Sequence, residues 1–78
     1  MTASLDEVRR LVAVQLGRRT VAPGDRLVED LGAESMDLVN LVAATEERYG
    51  IEVAEEEISD LRTVADLHRL VAARLGRG

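Results

Sequence analysis

Three times along this chain an apolar pattern at helical spacing runs into a glycine, a rhythm that leaves little besides a small helical bundle to fold into. Leu5, Val8, Leu11, Val12 and Leu16 share one helical face, with Ser4 placed as N-cap and Gly17 as stop. Leu38, Leu41, Val42, Thr45 and Tyr49 mark the core stripe of a second helix that opens near Ser35 and ends at Gly50. Thr63 is placed to cap a last helix carrying Val64, Leu67, Leu70 or Val71, and Leu75, stopped by Gly76. Between these two, Glu55, Glu56, Glu57, Ile58 and Leu61 predict a short third helix of one or two turns. Residues Arg18 to Glu34 form a long connection containing Pro23-Gly24. An unstructured loop of that length is unusual in so small a domain, so Leu27, Val28 and Leu31 are expected to pin it to the core. The expected fold class is therefore all-α. It is a small four-helix bundle of three longer helices and one short one, with a long loop between helices 1 and 2 and a single domain spanning 1–78.

Tyr49 is the only aromatic residue, so the core must interlock aliphatic side chains, mostly Leu, Val and Ala. With no cysteine there is no disulfide framework and no thiol chemistry of the protein's own. Asp6, Glu7, Arg9 and Arg10 occupy the place where a signal peptide needs an uninterrupted apolar run, and no later run approaches spanning length. A cytoplasmic protein with no membrane partner is expected. Arg10-Leu11-Val12-Ala13 and Arg69-Leu70-Val71-Ala72 echo each other, which reads as two similar amphipathic helices and not as a repeat array.

The net charge of −5 hides an asymmetry. Residues 25–60 hold twelve acids against Arg26 and Arg48, a local balance of −10, while the flanks together carry +5. That segment repels phosphate backbones and offers no stacking platform beyond Tyr49, which argues against nucleic acid as a partner. A basic protein surface suits it better.

Within the acidic segment, Ser35 stands at a predicted helix start between Glu34 and Asp37. Serine is a favoured N-cap and acids suit a first turn, so these residues by themselves are explained by helix capping. Two features point further. Met36, Val39 and Ala43 form a second apolar stripe beside the core stripe, either a wide core face or a docking surface. A phosphodiester on Ser35 would also meet the positive end of the helix dipole and free N–H groups.

At these residues the run from about Leu27 to Val71 resembles the acyl carrier protein family. Leu31-Gly32-Ala33-Glu34-Ser35-Met36 stands where members carry a Leu-Gly pair followed by an Asp-Ser-Leu triplet. Glu46-Glu47-Arg48-Tyr49-Gly50-Ile51 is similar to the family's acidic end of helix 2, and Thr63-Val64-Ala65-Asp66-Leu67 to the opening of its last helix. Glu34 replaces the customary aspartate and Met36 the customary leucine, keeping charge and apolarity. The resemblance implies that Ser35 receives 4′-phosphopantetheine from coenzyme A through a phosphopantetheinyl transferase. The chain would then carry acyl groups as thioesters in fatty-acid or polyketide biosynthesis. It also implies partners with basic docking surfaces, namely acyltransferase, ketosynthase or ligase-type enzymes, and a monomeric carrier. Glu34, Met36, Asp37, Val39, Ala43, Glu46, Glu47, Glu55, Glu56 and Asp60 are the candidate docking residues.

Rival chemistries have less support. A hydrolase needs a base beside Ser35, yet the one histidine, His68, falls on the last helix, and the surrounding residues are not a Gly-x-Ser-x-Gly elbow. No catalytic residue is therefore assigned. The acids lack the spaced ligands of an EF-hand, so no metal site is expected. The standing alternatives are an unmodified acidic helical adaptor and an aminoacyl or peptidyl carrier of a nonribosomal pathway.

Overall fold

A computed structural model describes residues 2–76. It contains four helices: α1 (Leu5–Gln15), α2 (Ser35–Tyr49), α3 (Glu55–Ser59) and α4 (Val64–Gly76). The expected bundle of three longer helices and one short one is what forms.

Local rules set most of the helix ends. The hydroxyl of Ser4 accepts the Glu7 N–H at 3.0 Å while the Glu7 carboxylate accepts the Ser4 N–H at 3.2 Å, a reciprocal box closing the start of α1. Thr63 and Asp66 repeat the device on α4, each side chain accepting the other's N–H at 3.1 Å. Gly50 ends α2 at φ +66, in the left-handed region that a side chain disfavours. Two boundaries differ from expectation. Ser35 is the first helical residue of α2 and not its cap, a place taken by Glu34. Gly76 is itself helical, the last residue of α4 and of the described chain.

Asp66 is more than a cap. Burial pushes its carboxyl up, but the N–H groups of Thr63 and Arg62 and the charge of Arg69 together hold it below the usual aspartate range. A lowered folded value means stability that is present at neutral pH and is lost as pH falls through that value. Asp66→Asn is expected to cost about 1 kcal/mol at neutral pH. In urea melts across pH, its difference from wild type should shrink as pH falls through the lowered Asp66 value.

α1 packs against α4 and α2, and α2 also meets α4; among the described residues α3 packs its backbone only on α2. Val8, Val12, Leu41, Val64, Leu67 and Val71 are fully buried between the three long helices. Thr45, also fully buried, satisfies its hydroxyl by donating to the Leu41 carbonyl at 2.7 Å. The loop joins this core through Leu27 and Leu31, both buried as expected. Val28 does not: it stands 50% exposed. Backbone bonds from Leu27 N–H to Arg62 and from Val64 N–H to Asp25 tie the loop to the start of α4.

Tyr49 is buried, and its hydroxyl has no hydrogen-bond partner among the described residues. Burial, with the Glu7 charge added, raises its pKa above the ordinary tyrosine value. A buried hydroxyl with no partner among the described residues opposes folding, so Tyr49→Phe is expected to stabilise the domain by about 1 kcal/mol. Thermal melting should rise by roughly 4–8 °C.

Candidate functional site

Gly32, at φ +71, turns the loop so that Ala33 is buried and the chain re-emerges at Glu34 and Ser35. The N–H groups of the first turn of α2 have no acceptor inside the helix and face outward, the geometry that receives an anion. Ser35 is exposed there. The Asp37 carboxylate accepts the Glu34 N–H at 2.9 Å, fixing the entry of the chain into the helix.

Beside Ser35 lies an open groove of about 510 Å³, lined by Val28, Ser35, Leu38, Val39, Glu55, Ile58, Ser59 and Leu61. Its walls are the α1–α2 loop, the first turns of α2, and α3 with the residues that follow it. Four large apolar side chains stand out to solvent among the described residues, and three of them, Val28, Met36 and Val39, gather at this end of the molecule. The fourth, Val14, is on α1. Val28 is thus a site residue that sequence reasoning assigned to the core. Ile58, Leu61 and Ser59 were also missed as groove residues, because only the packing of α3 on α2 brings them beside Ser35.

The candidate docking residues separate into groups. The second stripe is not a wide core face: Met36 and Val39 are 66% and 52% exposed, and Ala43 is exposed as well. Glu34 is exposed beside Ser35, and Glu55 lines the groove from α3. Glu56 and Asp60 are exposed on and just after α3. Glu46 and Glu47 lie at the other end of α2, roughly 17 Å along its axis from Ser35. Of these two, Glu46 has an internal task, since its carboxylate accepts the Val53 N–H at 2.8 Å. His68 bonds the Ala3 carbonyl oxygen at 3.0 Å and takes no part in the groove.

The exposed Ser35 thus stands in an apolar collar, with His68 engaged elsewhere. Residues 6–71 match the family described as phosphopantetheine attachment site. Over 71 residues the chain is 39% identical to the acyl carrier protein of Wolinella succinogenes, spanning 88% of this chain and 93% of that one. A type-II acyl carrier protein of Streptomyces verticillus, involved in bleomycin biosynthesis, is similar with a TM-score of 0.80 and 27% identity. That likeness covers 91% of this chain and 84% of the other. A chain in the structure of the ishigamide ketosynthase/chain length factor is similar with a TM-score of 0.74 and 25% identity, over 92% and 93% of the two chains. The chain belongs to the acyl carrier protein family.

The family's group is 4′-phosphopantetheine, covalently attached. The residues here fit it: an exposed serine hydroxyl, outward N–H groups able to face a phosphodiester, and an apolar groove beside them. When bound, the arm supplies a thiol that holds acyl groups as thioesters. Family members work with synthase enzymes such as ketosynthases.

Proposed function

We propose that Ser35 is the attachment residue and that this chain serves fatty-acid or polyketide biosynthesis as a carrier without catalytic activity of its own. The observation carrying the proposal is the exposed Ser35 hydroxyl at the start of α2, beside the groove. A separate phosphopantetheinyl transferase supplies the base that takes the hydroxyl proton. The serine oxygen then attacks the pyrophosphate of coenzyme A, a new P–O bond forms, the P–O bond between the two phosphates breaks, and the adenosine bisphosphate portion leaves. The α2 N-terminus receives the negative charge that stays on the serine.

Docking follows from the same surface. Met36, Val39 and Val28 give an apolar contact around the attachment point, and Ala43 extends it along α2. Glu34, Asp37, Glu47, Glu55, Glu56 and Asp60, with the exposed part of Glu46, draw basic partners, and each rim pair affects encounter rate more than affinity. The domain acts as a monomer in the cytoplasm, its residues 1–78 forming one carrier unit. Among the described residues no helix is long and apolar enough to cross a membrane.

Intact mass after incubation with coenzyme A, magnesium and a permissive transferase tests the reading. A gain of one phosphopantetheinyl group supports it. An unchanged mass would leave the adaptor reading in its place.

A further inference from the structure

α3 is a wall that cannot hold itself up. It has five residues, none of them buried, and a helix so short is unstable alone. Its Glu55, Ile58 and Ser59 face the groove at helical spacings of three and four, while Glu57 lies on another side.

That other side is gripped from α4. The Arg74 guanidinium donates to both carboxylate oxygens of Glu57 and, at 3.4 Å, to the Glu52 carbonyl. Glu57 in turn accepts the Ala54 N–H at 2.9 Å, closing the start of α3. Arg74 first, and the Ala54 N–H second, hold the Glu57 carboxyl below the usual range. The other three ion pairs found among the described residues join positions three or four apart, whereas this one spans seventeen and links two elements whose backbones do not pack together.

We propose that Arg74 is a positioning residue for the groove: by clamping Glu57 it holds α3 in place as the wall opposite Leu38 and Val39, and so sets how long an acyl chain the groove shelters. The acyl part rests on the carrier reading. The clamp does not, and is measured on the unmodified chain.

Amide exchange in α3 reads the clamp directly. In Arg74→Ala, exchange at residues 55–59 should rise about three- to fivefold, with α1 and the first turns of α4 unchanged. Arg74→Lys should fall back towards wild type. Glu57→Gln, which keeps an oxygen for the Ala54 N–H, should match Arg74→Ala, and the double variant should be no faster than either single one. About 1 M salt should quicken α3 exchange in wild type and leave Arg74→Ala unaffected. Equal exchange in wild type and Arg74→Ala, or additive effects in the double variant, would overturn the clamp.

The second arm loads butanoyl or octanoyl phosphopantetheine from the acyl coenzyme A and follows thioester cleavage by hydroxylamine. Wild type should protect octanoyl more than butanoyl, and Arg74→Ala should lose about threefold of that difference. Unchanged protection alongside faster α3 exchange would refute the chain-length role and leave the clamp standing. Failure of the carrier reading shows separately, as no gain in mass on loading.

Discussion

Ser35→Ala is expected to gain no phosphopantetheinyl mass under conditions that convert wild type completely. Among the described residues the Ser35 hydroxyl makes no hydrogen bond within the protein, and Glu34, not Ser35, occupies the cap position. The substitution should therefore leave stability within about 0.5 kcal/mol of wild type, and a lost modification cannot be blamed on a lost fold. Ser59 is the instructive competitor, since its hydroxyl lines the same groove. It is the last residue of α3, next to Asp60, where unpaired carbonyls and a carboxylate repel a phosphate. Ser35 also has carboxylates beside it, Glu34 and Asp37, but it stands at a helix N-terminus, where outward N–H groups take the place of the carbonyls. Intact mass and peptide mapping of wild type, Ser35→Ala and Ser59→Ala decide the matter. A folded Ser35→Ala protein that still gains the group would end the assignment, and its peptide map would show whether Ser59 had taken it.

The parts of this fold that were legible beforehand are those governed by short-range rules. Ser4 and Thr63 cap their helices and Gly50 closes α2, because capping depends on residues within one turn of each other. The core stripe of α2 was nearly as plain: Leu41, Val42, Thr45 and Tyr49 repeat with the helix and are buried, whereas Leu38, of the same stripe, is half-buried and lines the groove. Where periodicity ends, so did the reading. Leu27 and Val28 are adjacent aliphatic residues in a loop, and nothing local says that one is fully buried while the other stands half in solvent beside Ser35. The groove was hidden for the same reason, since Ile58 and Leu61 reach it only through tertiary packing.

Electrostatics were legible in sum and not in detail. Only part of the acidic segment lies at the Ser35 end, since Glu46 and Glu47 stand at the far end of α2, and Asp37 and Glu46 also hold backbone N–H groups of their own chain. Substitutions there change local structure along with charge. Glu47, Glu55, Glu56 and Asp60 make no side-chain hydrogen bond among those found for the described residues, so they are the cleaner positions for testing partner attraction. Ser35 itself was picked out by resemblance, not by its chemistry, which by itself pointed to a cap. The structure moves the cap one residue back and leaves the hydroxyl free.

The largest structural effect is expected at Leu27, because a loop of this length stays ordered only if its anchor holds. Leu27 is fully buried in the same cluster as Val8, Leu41 and Leu67. Its N–H donates to Arg62 at 2.8 Å, and its carbonyl accepts from Ala33 at 2.9 Å, so one residue ties the loop both to the approach to α4 and to the entry of α2. Leu27→Ala removes the side chain and leaves a cavity between rigid helices, a change that costs about 2–5 kcal/mol. A domain of this size has only about 4–12 kcal/mol to lose. Thermal and urea unfolding should show a loss of about 3 kcal/mol and a melting point lower by roughly 12–24 °C. Val28→Ser, one position along and already half in solvent, should change stability by less than about 0.5 kcal/mol. A Leu27→Ala loss below about 1 kcal/mol would mean that the loop is not anchored where the packing places it. The collar around Ser35 would then lose its support, because Val28 and the Gly32 turn are held in position through Leu27.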